Sequence, residues 1–301
     1  MRNPMQLSPS SSAIWRLPPA VDNRSFNVMP ELPEVEVLRR SLEPLVVGSV
    51  IESVRVWNGD LREPVDRRRL GKSRGREIVA ARRRAKYLLL DLTGDQTLVI
   101  HLGMSGRFTL VPGSDPRELH EHVAFYLDSD RRLRFRDTRR FGLVLLRRTE
   151  DLPGDRHFLH LGLEPLEAGL TGAALRQSAQ GRRGPVKSFL MDGRIVVGVG
   201  NIYAAEALFR AGIHPRRSVA RISEARWEKL AQSIQQTLSD AIDQGGTTLN
   251  DFADARGESG YFSVSLSVYD RDGQPCRRCR AQIRRIVQSG RSTYYCPGCQ
   301  R

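Results

Sequence analysis

The stretch Met29-Pro30-Glu31-Leu32-Pro33-Glu34-Val35-Glu36 sets two prolines and three carboxylates ahead of an apolar run at Val35, Val37, Leu38, Leu42 and Leu45. As local structure it opens a helix. A proline in the first turn gives up no needed N–H, and carboxylates there meet the positive end of the helix dipole. That accounts for Pro33, Glu34 and Glu36 and leaves Pro30 and Glu31 over. A proline behind a methionine is also what methionine removal exposes as a secondary amine, with a pKa near ~8 against ~10.4 for lysine. Such an amine is partly unprotonated at neutral pH. Attack on the anomeric carbon of a sugar gives an iminium directly, and a neighbouring Glu31 can handle the protons of ring opening. The octet by itself leaves both readings open.

Upstream, residues 1–28 cluster Ser8, Ser10, Ser11 and Ser12 with Pro4, Pro9, Pro18 and Pro19 and carry Asp22 as their one acid. Too little apolar surface is present to offset the entropy of ordering, so residues 1–29 read as a disordered leader or a mis-assigned start. Downstream, residues 30–160 read as one helix followed by short strands at 50–57, 87–92, 97–101, 107–111, 123–128, 133–135 and 142–146. Gly, Asp and Pro turns divide them, as in a two-layer sheet or a barrel. Over 161–262 the period becomes helical. Trp227, Leu230, Ile234, Leu238 and Ile242 mark a helix over 223–244, stopped by Gly245-Gly246. Residues 263–301 return to short strands around four cysteines. The fold class is α+β and multidomain.

With 301 residues, 40% of them hydrophobic, and a mean hydropathy of -0.41, the chain reads as soluble, and no apolar run of membrane-spanning length occurs. Lys+Arg exceeds Asp+Glu by 48 to 34, for a net charge of +14. A surplus of that size points to an anionic partner, nucleic acid first. Basic runs at 67–69, 82–86, 131–140 and 181–187 read mostly as solvated faces, with only some residues touching that partner. All four cysteines fall in two C-x-x-C pairs, Cys276/Cys279 and Cys296/Cys299, sixteen residues apart. That is the spacing of a closed four-thiolate zinc site, structural because no ligand position stays open. It leaves no cysteine for a disulfide and suits a reducing, cytoplasmic setting.

Three further segments carry chemistry. Gly198-Val199-Gly200-Asn201 runs from an apolar piece into a helix over 203–209, with Asn201 where an N-cap belongs. The free N–H groups of such an end hold phosphate well, although a plain capped helix is the preferred reading of this segment taken alone. His101-Leu102-Gly103-Met104-Ser105-Gly106 and Asp137-Thr138-Arg139-Arg140-Phe141-Gly142 sit at strand ends. An arginine flanked by Met104 and Phe141 suits filling of the gap left by an extruded base, and each apolar residue alone suits a core.

Taken together these residues resemble the formamidopyrimidine-DNA glycosylase family of bacterial oxidised-purine repair enzymes. The resemblance runs from Met29 to Arg301 through MPELPEVE, RRAKYLLL at 83–90, HLGMSG, RRFG, VVGVGNIYA, GGTTL and the cysteine finger. It implies an N-terminal helix with a β-sandwich, a helix–two-turn–helix domain and a zinc finger, with duplex DNA between them. By the same resemblance Pro30 is the Schiff-base nucleophile and Glu31 its proton partner. Lys86 donates the proton of β-elimination. Arg291 acts in δ-elimination or grips the lesion phosphate. His120, Arg139, Arg182, Lys187 and Asn201 contact DNA; Met104, Arg139 and Phe141 fill the void; and the loop 250–261 covers the flipped base. One structural Zn2+, no small-molecule cofactor, no membrane and a monomeric, nucleoid-associated protein complete the expectation.

Two departures stand out. A retained leader would block the Pro30 amine, and Thr138 stands where the family usually has proline. The rival readings are an oxidised-pyrimidine glycosylase of the endonuclease-eight type and a non-catalytic damaged-DNA-binding zinc protein.

Overall fold

The computed structural model describes residues 29–246 and 266–301. The expected leader, the loop 250–261 and most of GGTTL lie outside the described residues. Helix α1 (Leu32–Val46) begins where the octet puts it, and Leu32, Val35, Leu38, Leu42 and Val46 form its buried stripe at steps of three and four. That stripe packs on β2 (Ile78–Arg84) and β3 (Tyr87–Leu92).

Two four-stranded sheets follow, and the strand pairs within them are antiparallel. β2, β3, β4 (Gln96–His101) and β8 (Leu143–Arg148) form one. β1 (Ile51–Val56), β6 (Glu121–Leu127), β7 (Arg131–Asp137) and β5 (Gly106–Pro112) form the other. Of the two expected architectures, the two-layer sandwich is the one present. Phe108, Phe125 and Phe135 from the second sheet meet Leu90, Leu98, Ile100 and Val144 of the first. Full burial of each such side chain contributes about 1.5–3 kcal/mol.

The expected strands all form, each within two residues of its expected ends. β2 was missing from that expectation. Its apolar residues are only Ile78, Val79, Ala80 and Ala81, and Arg82, Arg83 and Arg84 read as a solvated run. The structure corrects this. Arg82 pairs with Asp91, Arg83 with Glu36 and Glu164, and Arg84 with Glu164. Within 131–140 the same correction applies to Arg132 and Arg134, which lie 3% and 4% exposed on β7 against the fully buried Glu121. Some of the positive charge is therefore matched by carboxylates within the protein.

Helices α3 (Gly172–Ser178), α4 (Val186–Leu190), α5 (Asn201–Ala211) and α6 (Glu224–Asp243) build the second domain. Trp227, Leu230, Ile234, Leu238 and Ile242 are buried as their spacing predicts, with the Trp227 ring tilted against Phe189 at 5.5 Å. The finger closes with the antiparallel hairpin β9 (Arg284–Gln288) and β10 (Arg291–Tyr295). It has no core of its own: Ile283, Tyr294, Cys276 and Cys296 belong to the same apolar cluster as Leu208, Phe209 and Leu230.

Two buried carboxylates make the joints. Glu164 accepts hydrogen bonds from the Ala85 N–H (2.6 Å), Arg83 (2.9 Å) and Arg84 (3.0 Å), fastening the β2–β3 turn to the start of the second domain. Glu206 on α5 accepts from the N–H groups of Ser267, Val268 and Tyr269, fastening the finger's lead-in.

Candidate active site

The N-termini of α1 and α5 meet head to head. The Glu31 carboxylate, 2% exposed, accepts from the backbone N–H groups of Gly200 (2.7 Å), Ile202 (3.0 Å) and Tyr203 (3.4 Å). Glu34 accepts from the Glu31 N–H (2.9 Å) and from the Tyr203 hydroxyl (2.6 Å). This arrangement corrects two expectations. Helix α5 begins at Asn201, so Gly200 holds the cap position and Asn201 does not. The N–H groups expected to hold phosphate are occupied by Glu31. Glycine is required at 200, since a Cβ there would lie 2.3 Å from the Glu31 carboxyl carbon.

Beside this junction lies a cavity of about 280 Å³ whose lining includes Met29, Glu31, Lys86, Met104, Asn201, Tyr269 and Arg291. Pro30 is buried between the first two. Burial raises the pKa of Glu31, against the opposing pull of Lys86 and of the N–H donors. Burial lowers the pKa of Lys86, with Glu31 and Glu34 resisting. Lys86 itself sits on the β2–β3 turn, next to Ala85, which has a φ of +54° and is held by Glu164. Sequence reasoning missed His101, the residue opening HLGMSG. Its ring packs edge-on to Tyr87 at 4.8 Å, and burial drives its pKa down to about 3. Its Nδ1 accepts from the Gly103 N–H, so the neutral ring carries its proton on Nε2.

Asn201 and Lys187 join the cavity floor to the finger. The Lys187 ammonium donates to Asn201 Oδ1 (2.6 Å), Thr293 Oγ1 (2.7 Å) and the Ser292 carbonyl (3.4 Å), and Asn201 Nδ2 donates to the same carbonyl at 3.0 Å. At 2% exposure Lys187 is a buried brace and not the surface contact expected of it. Burial lowers its pKa to about 8. Arg291, exposed, opens β10 on the cavity rim. Arg182 is exposed 3.8 Å from Asp192, beside the cavity-lining Met191.

The two loops that carry Met104, Arg139 and Phe141 are tied together. Buried Asp137 accepts from Ser105 Oγ (2.6 Å), the Arg139 N–H (3.2 Å) and the Gly142 N–H (2.7 Å), binding both loops to one carboxylate. The guanidinium of Arg139 lies 5.0 Å over the Phe141 ring, itself 47% exposed. Gly103 makes the loop contact possible: its φ is +65°, and a Cβ there would lie 2.4 Å from the Phe141 backbone. With Asp137 holding the turn, the exposed Thr138 needs no proline. His120, with φ +64°, accepts at its carbonyl from the Asp137 N–H, which places it at the same rim.

The thiol sulfurs of Cys276, Cys279, Cys296 and Cys299 lie within 4.8 Å of one another, with Cys276–Cys299 at 3.8 Å and Cys279–Cys296 at 3.4 Å. A tetrahedral zinc with Zn–S bonds of about 2.3 Å has S···S edges of ~3.8 Å. The four thiols fit one structural zinc and supply no open position for chemistry.

Matches to known proteins run through all three domains. The formamidopyrimidine-DNA glycosylase N-terminal domain matches residues 29–144, its H2TH domain 161–253, and the zinc finger found in FPG and IleRS 273–301. Formamidopyrimidine-DNA glycosylase of Burkholderia thailandensis is 49% identical over 278 residues, covering 91% of this chain and all of that one. Lactococcus lactis Fpg solved with a FAPY-dG containing DNA superposes with a TM-score of 0.82 at 33% identity, covering 90% of this chain and all of that one. The same enzyme solved with an oxidised pyrimidine containing DNA gives 0.82 at 34% identity and the same coverage. Fold and site together define a base-excision DNA glycosylase built from a β-sandwich, an H2TH domain and a zinc finger. The chain belongs to the formamidopyrimidine-DNA glycosylase family. Among the described residues no helix is long and apolar enough to cross a membrane.

Proposed function

We propose that the protein is a bifunctional glycosylase and AP lyase that removes oxidised purines, 8-oxoguanine and formamidopyrimidines, from duplex DNA. The observation that carries this reading is the shared cavity of Met29, Glu31 and Lys86, with Pro30 buried beside it. Once chain removal frees the Pro30 nitrogen, that amine attacks C1′ of the flipped nucleotide and the glycosidic bond breaks, the base leaving with its bonding electrons and a proton. A protonated Glu31, favoured by its raised pKa, donates to the ring oxygen as the sugar opens to an iminium. Loss of the C2′ proton to Glu31, ionised by its earlier donation, expels the 3′ phosphate, Lys86 supplying the proton to that leaving group. Arg291 grips the lesion phosphate or acts in the second elimination, and water returns the proline. Met104, Arg139 and Phe141 fill the vacated stack, with His120, Arg182 and Asn201 on the backbone. The working protein is a monomer on nucleoid DNA in the cytoplasm.

A second reading, action on oxidised pyrimidines, is favoured by the solved Lactococcus complex with that lesion. Borohydride trapping on paired purine and pyrimidine lesion duplexes tests both, using the full chain and a chain whose first residue is Pro30. The expected result is an adduct mapped to Pro30, formed faster on the purine lesion. Absence of an adduct from the chain starting at Pro30 overturns the Schiff-base reading, and faster trapping on the pyrimidine overturns the substrate assignment.

A further inference from the structure

Residues 67–76 read Arg-Arg-Arg-Leu-Gly-Lys-Ser-Arg-Gly-Arg, with six cations and no acid. They form the one-turn helix α2 (Arg67–Leu70) and the 3-10 turn Gly71–Ser73. Leu70 and Ser73 point inward, 1% and 0% exposed, and the segment packs on β8 and β1. That orientation turns Arg68, Arg69 and Lys72 outward. They are exposed, and their i,i+3 and i,i+4 spacing makes them neighbours. Other basic runs meet carboxylates, as at Arg82–Asp91, Arg83–Glu164 and Arg134–Glu118. No ion pair neutralises these three among the described residues. Like charges at such spacing repel, and a single helical turn has too small a dipole to offset them. A solvated surface gains nothing from this crowding; a polyanion does.

The chain just before the segment, at Asp60 and Arg62, reaches the rim that carries Arg140 and Gly142. The Arg62 N–H donates to the Gly142 carbonyl at 3.1 Å, and Arg140 pairs with Asp60. The segment's far end is anchored away from the cavity, where the Gly75 N–H donates to Ile51 at 2.7 Å and the Ile51 N–H to Arg76 at 2.9 Å. We propose that Arg68, Arg69 and Lys72 form a secondary track for the DNA backbone. The track takes the phosphates of the duplex arm beyond the lesion cleft and holds them by charge alone. This rests on the reading of the cavity as a DNA site. It adds a surface that acts in searching and retention and takes no part in the chemistry.

The test measures binding of undamaged duplex as a function of salt, on a short duplex that fills only the cleft and on a longer one. Each cation that meets a phosphate contributes about 0.9 to the slope of log K against log salt. The triple variant Arg68→Gln, Arg69→Gln, Lys72→Gln is expected to lose about 2 to 3 from that slope on the long duplex and nothing on the short one. Lesion excision from the short duplex stays at the parent rate, which also verifies folding. The charge-keeping variant Arg68→Lys, Arg69→Lys is expected to retain the parent slope. An unchanged slope on the long duplex overturns the proposal, as does an equal loss on both lengths. Failure of the parent to excise would sink the functional reading separately, because the binding slopes do not depend on chemistry.

Discussion

Glu31 and Gly200, 169 residues apart, are joined by a 2.7 Å hydrogen bond from the glycine N–H to the acid that follows Pro30. One carboxylate therefore caps the second domain's central helix and faces the first domain's cavity. Glu31→Gln keeps one acceptor oxygen and loses the ionisable proton, so trapping should fall by roughly 10²–10⁴ while the fold persists. Glu31→Ala leaves three buried N–H groups without an acceptor and should also destabilise by several times the ~1–3 kcal/mol of one such group. Denaturant melts of both variants separate the two roles. Because burial raises the Glu31 pKa, its contribution to stability is complete below the ordinary carboxylate pKa and is lost as pH rises through the folded value. Glu31→Gln should remove that component of the pH profile.

Glu164 holds the turn that carries Lys86. Glu164→Ala leaves the buried Ala85 N–H without its acceptor and Arg83 with Glu36 alone, and should cost about 1–3 kcal/mol. Glu164→Gln, which keeps an acceptor, should cost less. In single-turnover assays it should slow the elimination step more than base release, because only the lysine shifts. Equal slowing of both steps would refute a role through Lys86.

Lys187 gives a sharp pH signature. Its folded pKa of about 8 lies below the ordinary lysine value of 10.5, so the unfolded chain binds more protons between those limits. Stability from this group should rise with pH across that window, by roughly 3 kcal/mol in total. Lys187→Met should flatten the rise. Since the ammonium spends its contacts on Asn201, Ser292 and Thr293, the same variant should leave the salt slope of DNA binding unchanged.

Zinc removal should reach beyond the finger. Chelation is expected to release one metal ion per chain and to loosen the cluster shared with Leu208 and Phe209, while the sandwich keeps its own transition on heating. Trapping should fail, because Arg291 and the Lys187 contacts at Ser292 and Thr293 all belong to the finger hairpin. Retained trapping after verified metal loss would contradict that dependence.

What was legible in the sequence was local. The α1 stripe, the helix carrying Trp227 and the paired cysteines each announce themselves within a few turns of chain. What was illegible depends on partners far away. β2 hid behind arginines whose carboxylates lie 47 and 81 residues distant. Asn201 looked like a cap because the real cap arrives from Glu31, and Lys187 looked solvated because its acceptors sit in the finger. His101 and Asp137 stood inside motifs already singled out, yet only the packing shows that one stays neutral and the other ties two loops together.

That tie at Asp137 settles when the cost of rigidity is met. The loops that carry Met104, Arg139 and Phe141 do not have to be brought together later, since Ser105, Arg139 and Gly142 are already bound to one acid. Ordering three separate side chains and two loops would consume about 0.5–1.5 kcal/mol for each long side chain immobilised on binding. Here the two loops are ordered against each other during folding, once per molecule, so that part of the ordering does not recur at each later encounter.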